Sequence, residues 1–262
     1  MNEKNFDYLK DQVKFSGFGE LLEDDLKMKI EKGDPDFKLL HSHEFGKDKV
    51  EATLHFRKSD STDMYFFNKY DLNLQKDNEK DLLIQTFYIG KDNNYTLKEG
   101  YNLMSGRAVN KDLKNKEGET YNAWVQMDFK QSEDNGNFKL KQFHENYGYD
   151  LESVLAKHPI KELENIVDKS SLVASLQKGN RQSVTFLHEG NEQKHFIEAS
   201  PQFKSINIYD GNQKRLRQNQ DEKESSSQSV KQETKKSNKV KDSGDDGPEP
   251  AAKQKKQRKP SL

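Results

Sequence analysis

The sequence predicts an α+β protein built from repeated helix–β-meander modules with antiparallel sheets, followed by a disordered C-terminal tail. Three observations carry that expectation. In the run Tyr121–Phe129, Tyr121, Ala123, Val125, Met127 and Phe129 share one parity while Asn122, Trp124, Gln126 and Asp128 share the other. Alternation of that kind marks a half-buried strand, and it leaves Trp124 on the more polar face, where another part of the fold is expected to cover it. Second, a local order of helix, glycine, strand, turn, strand, longer turn and strand recurs. Leu103 precedes Gly106 by three residues and Leu176 precedes Gly179 by three; Gly118 follows Gly106 by 12, and Gly190 of the Glu189-Gly190 turn follows Gly179 by 11. Both units then reach a Phe-Lys pair, Phe138-Lys139 and Phe203-Lys204. A fainter unit starts at Ile30 and Gly33, with Gly46 a further 13 on. The same spacings also arise from the common grammar of helix, glycine stop and hairpin. Third, charge is divided along the chain: from Gly211 onward there are 14 Lys and Arg against 8 Asp and Glu, leaving 30 against 37 before it.

Each element follows from a local signal. Phe6, Leu9 and Val13 stand at helical spacing, so residues 3–15 read as an amphipathic helix ended by Gly17 or Gly19. Leu22, Leu26 and Ile30 mark a second helix, stopped by Gly33 before Asp34-Pro35. Strands are expected at 37–45, 49–57, 64–74 and 82–89, a four-strand meander. Thr96 with Glu99 makes a capping box for the helix that Gly106 closes. Asn135-Gly136 is a two-residue hairpin signal, returning into a strand from Phe138 to Phe143. Asp150 caps a helix that Pro159 breaks, and Ser170 or Ser171 caps the next one, ended by Gly179. Strands at 182–188, 194–199 and 204–209 complete the fold. The expected divisions are an N-terminal α+β module (1–92), a central helix–β-meander module (93–162), its repeat (163–210) and a disordered basic tail (211–262).

All 15 Phe, all 10 Tyr and the single Trp precede the tail, enough for a core. The tail has too little apolar surface to offset a backbone ordering cost of about 1–2 kcal/mol per residue. The absence of cysteine excludes disulfides and thiolate metal sites and fits a reducing, cytoplasmic setting. The start, MNEKNFDYLKDQ, lacks the apolar run of a signal peptide. Charges interrupt every apolar segment well short of a membrane span, so no membrane partner is expected.

Few residues suggest chemistry. His41 and His43 share one strand face, but the register that aligns the apolar residues of neighbouring strands sends His55 to the other face. No three-histidine metal site is therefore expected. His144-Glu145, with Tyr147 and Tyr149, resembles a site in composition, yet adjacent strand residues point oppositely, and structural aromatics account for the pattern. Gly17 and Gly19 lack the preceding strand and third glycine of a dinucleotide fingerprint. No catalytic residue, cofactor or metal is assigned. The one positive signal is the cationic tail, where Lys253, Lys255, Lys256, Arg258 and Lys259 fall within seven residues. Such cations bind nucleic acid without regard to sequence by releasing phosphate counterions, or serve as a solubilising tether.

The strings SGRAVNKDL, NKEG, YNAWVQMDF, KQFHENYGYDLE, KGNRQSVTF and EASPQFKSINIYD resemble a family of Bacteroidetes proteins carried largely on conjugative or mobilisable elements, often encoded near a type IA topoisomerase. The resemblance covers residues 1–210 and implies a mobile-element context. No catalytic residue is established for that family, so none is transferred. The expected function is that of a non-enzymatic accessory or scaffold protein, acting on an unidentified protein partner through its sheet surfaces. The alternative is nucleic-acid binding through the tail, and an enzyme ranks third.

Overall fold

Helix α1, Glu3–Val13, opens the described chain and buries Phe6, Leu9 and Val13. It runs on as a wider π turn, Lys14–Phe18, which breaks where Gly17 takes a positive φ of 93°. Helix α2, Glu23–Lys32, buries Leu26 and Ile30 and closes on left-handed Gly33. Strands β1 (Asp36–Phe45), β2 (Asp48–Lys58), β3 (Tyr65–Gln75) and β4 (Leu82–Tyr88) follow as an antiparallel meander in chain order. The computed structural model describes residues 2–77, 79–188 and 190–216, and these form one compact unit.

Helix α3, Leu97–Met104, carries the expected capping box at Thr96 and Glu99. It leads into a second antiparallel sheet of β5 (Val109–Lys114), β6 (Thr120–Ser132) and β7 (Phe138–His144). After the short helix α4, Leu151–Leu155, comes α5, Ile166–Gln177, and then a third antiparallel sheet. Its strands are β8 (Gln182–His188), β9 (Asn191–Ser200) and β10 (Ser205–Tyr209). The protein is thus mixed helix and strand with three small antiparallel sheets. Among the described residues no helix is long and apolar enough to cross a membrane.

The middle sheet is a wall between two cores. Val109, Leu113, Ala123, Val125 and Met127 join the first core with α1–α3 and the four-stranded sheet. Ala108 and Trp124 belong to the second core, with α4, α5 and the third sheet. Trp124 is buried there with Tyr149 edge-on at 5.4 Å, which is why an indole can occupy the polar parity of β6.

Three local expectations are corrected. Helix α5 begins at Ile166 rather than at Ser170 or Ser171, because Asn165 Oδ1 accepts from the amides of Val167 and Asp168. The β6–β7 connection is wider than the two-residue turn expected at Asn135-Gly136. Ser132 pairs with Phe138, and the side chain of Asn137 is diverted to the backbone of Thr86 on β4. The start of the expected disordered tail is ordered instead. Asp210 accepts from the amides of Asn212 and Lys214, turning the chain so that Leu216 N donates to Ile208 O and its side chain packs on the second core.

Candidate functional site

Helices α3 and α5 end in the same way, and their ends meet. Ser105 and Lys178 are the terminal residues, and each is followed by a left-handed glycine. Gly106 N donates to Leu103 O and Arg107 N to Asn102 O; Gly179 N donates to Leu176 O and Asn180 N to Ser175 O. Both are Schellman closures, in which two otherwise orphaned carbonyls are satisfied. Asn102, fully buried, joins them: its Nδ2 donates to Lys178 O at 2.7 Å and to Asn180 Oδ1 at 3.1 Å. Its Oδ1 accepts from Arg107 Nη2 at 2.7 Å.

An arginine follows each stop, Arg107 directly and Arg181 two residues on, and both approach Glu198 Oε1 of β9. Arg181 Nε lies 2.7 Å away and Arg107 Nη1 4.0 Å away, while Tyr209 Oη donates to Glu198 Oε2 at 2.6 Å. Glu198 is only 4% exposed, so its charge needs these partners. Burial alone would lower the Arg181 pKa, but Glu198 raises it, and burial followed by Glu198 lifts Tyr209 to about 12. Rings extend the series at both ends. Arg181 Cζ lies 4.0 Å from the Tyr209 centroid, and Arg107 Cζ 4.8 Å from that of Tyr101. Lys98 Nζ stands 5.0 Å from the Tyr101 centroid and 4.1 Å from that of Phe45. Loss of water over those rings, with Arg107 nearby, lowers the Lys98 pKa.

Lys98, Tyr101, Asn102, Arg107 and Arg181 line a cleft of about 990 Å³ whose opposite lip is the β1–β2 turn, Phe45–Asp48. On the lip, Asp48 accepts from the neutral hydroxyl of Tyr101 at 2.9 Å, and Lys47 lies 3.7 Å from Asp77. Ser105, also on the wall, has a buried hydroxyl with no hydrogen-bond partner among the described residues.

The same turn ends the longest edge strand. Gly46 and Lys47 form a two-residue hairpin with Gly46 at a φ of 67°, so Phe45 and Asp48 exchange both backbone hydrogen bonds. Antiparallel alternation then turns the amides of Asp36, Lys38, Leu40, Ser42 and Glu44 away from β2. All five residues are exposed, and among the described residues nothing hydrogen-bonds to those outward amides. At the other end of the sheet the β4 edge is capped at Thr86. Thr86 N donates to Asn137 Oδ1 at 2.9 Å, and Phe138 N to Gln85 Oε1 at 2.9 Å.

The histidines are separated as the register requires. His41 packs edge-on against Phe18 at 5.5 Å on the inner face, whereas His55 meets Asp71 at 2.7 Å on the outer face. Among the described residues no group of three or more His, Cys, Asp or Glu is placed to hold a metal. Tyr147 and Tyr149 donate their hydroxyls to Gln202 O and Ser205 O, tying the helical junction to the third sheet. Lys253, Lys255, Lys256, Arg258 and Lys259 lie outside the described residues. Sequence reasoning passed over Lys98, Arg107, Arg181 and Glu198. The available signal was an arginine one or two residues past each of two matching glycine stops. The chain matches no family model, no curated protein and no solved structure.

Proposed function

We propose that the protein is a non-enzymatic accessory or scaffold protein of a mobile genetic element, working in the cytoplasm through protein contacts of its sheet surfaces. The uncovered edge of β1 carries this reading. A row of outward amides and carbonyls ten residues long is a template for an added strand. Leu40, 74% exposed at its centre, supplies an apolar contact. The occupant is an extended segment of a protein partner. The sequence resemblance supplies the mobile-element setting.

The test is co-purification of tagged full-length protein from a host carrying such an element. One defined protein should be retained after nuclease treatment and lost with Ser42→Pro. That substitution removes an outward N–H and leaves the β1–β2 ladder intact. Thr53→Ala, on the neighbouring strand, should retain the partner. Capture unaffected by Ser42→Pro would overturn the reading, as would recovery of nuclease-sensitive DNA alone. The latter favours the alternative, a nucleic-acid-binding protein using the basic tail.

We also infer that α3–β7 and α5–β10 are copies of one module, supported by their common order and paired Schellman closures. A superposition in which the two share no common core would remove that inference.

A further inference from the structure

The geometry points to a second copy of this chain as the cover that β1 takes up when no protein partner holds it, in a two-fold dimer paired antiparallel through that strand. This rests on the reading of β1 as an open edge and adds what competes for it. Only the amides of Asp36, Lys38, Leu40, Ser42 and Glu44 point away from β2, so pairing must set these residues opposite one another. Charge then separates the two-fold registers. Centring on Leu40 sets Asp36 against Glu44 of the second copy, and centring on Lys38 sets that lysine against itself. Centring on Leu39 or Ser42 sets Leu40 against a charge. Centring on His41 sets Lys38 opposite Glu44 twice, once from each copy, with Leu40 opposite Ser42. That register exchanges about eight backbone hydrogen bonds and joins the two four-stranded sheets into one.

The surroundings of β1 agree with that register. Lys38 and Glu44 are exposed and make no ion pair among the described residues. Within one copy Glu44 stands opposite Lys49 and Lys38 opposite His55 on β2. The joined row therefore runs Lys49 and Glu44, then Lys38 and His55 of the second copy, which places unlike charges side by side at the join. Leu40, the most exposed apolar side chain of the strand, gains its own copy as diagonal neighbour. On the inner face Phe37 and Leu39 are buried whereas His43 is open. Antiparallel pairing lays the covered half of each strand beside the open half of the other, with Leu39 opposite His43. His41 meets its own copy at the axis; burial, followed by the nearness of His43, lowers its pKa, so that pair is uncharged at neutral pH. An interface one strand wide is small, so the dimer forms at high concentration and leaves the edge free in dilute solution.

The test is sedimentation equilibrium of the full-length protein from micromolar to millimolar concentration, on the wild type, Lys38→Glu, Glu44→Lys and the double variant carrying both. Both positions are exposed, and unchanged melting temperatures would verify that the fold is kept. The wild type should pass from monomer to dimer. Each single variant sets like charges opposite each other at two places and should weaken the dimer by about tenfold. The double variant exchanges the charges and should restore it. A mixture of the two single variants should associate more tightly than either alone, because acid on one copy then meets lysine on the other at both places. Ser42→Pro should abolish the dimer. A wild type that stays monomeric at millimolar concentration would overturn the inference. So would a dimer that the single variants or Ser42→Pro leave unchanged, or a double variant no better than the single ones. The open edge survives each of these results if capture of the protein partner is still lost with Ser42→Pro, so the two readings fail separately.

Discussion

Side-chain amides standing in for missing strands recur at the residue scale. Asn5 Oδ1 accepts from Tyr65 N at 2.7 Å while its Nδ2 donates to Tyr65 O at 3.0 Å, so α1 closes the end of β3. Asn93 treats Lys114 in the same way on β5, and Gln85 and Asn137 do so between the first and middle sheets. Each pair satisfies one backbone donor and one acceptor that would otherwise be buried or left as an open edge. Asn5→Ala is expected to cost about 2–4 kcal/mol, since it leaves both Tyr65 groups unpaired in an interior site; urea denaturation measures it, and a loss under 1 kcal/mol would show that the clamp is dispensable. None of these amides was legible in the sequence, because an asparagine or glutamine in a helix, strand or turn looks the same whether or not it reaches a distant backbone. Glu198 was hidden for a related reason. Its face of β9 is buried by groups at the ends of α3 and α5, which no local pattern reveals.

At the scale of elements, local grammar was readable wherever a segment supplies its own partners. The capping box of α3, the glycine stops of α2, α3 and α5 and the four-strand meander all stand where spacing and parity put them. Expectation and structure part where a distant element competes. Ser170 and Ser171 are capping residue types, yet Asn165 starts α5 about a turn and a half earlier, and Asn137 leaves its own hairpin to bind β4. The two stops of α2 and α5 separate backbone strain from packing. Gly33 and Gly179 both have left-handed φ, 79° and 78°. A Cβ on Gly33 meets nothing within 4 Å, whereas one on Gly179 falls 2.9 Å from both Ala108 O and Val109 Cγ2. Gly33→Ala is therefore expected to cost about 1 kcal/mol, the left-handed penalty alone. Gly179→Ala should cost at least about 2 kcal/mol more, because backbone and a core side chain must both move. Paired chemical denaturation curves give the difference, and equal losses would mean that the interlocked helix ends yield easily.

For the whole molecule, a middle sheet that gives residues to a core on each of its faces makes the two cores interdependent. Trp124, set against the parity of its strand, was the one sequence feature that pointed to this arrangement. Burial also links the fold to alkaline pH. It raises the hydroxyl pKa of Tyr70, Tyr95, Tyr149 and Tyr209, the last to about 12. A folded pKa above the unfolded one gives stability that is complete below about pH 10 and is lost as pH rises through the folded value. Denaturation midpoints should stay level with respect to these groups up to about pH 10 and fall above it; Tyr209→Phe should make the fall shallower, and an identical profile would exclude that residue's contribution. The central claim, an open β1 edge ready to accept a strand, is tested most directly by residue-resolved amide hydrogen exchange on the isolated full-length protein. The outward amides of Lys38, Leu40, Ser42 and Glu44 should exchange rapidly while those of Leu39, His41 and His43, bonded to β2, stay protected. Uniform protection along the strand would contradict the account, since it would mean that the edge is already covered.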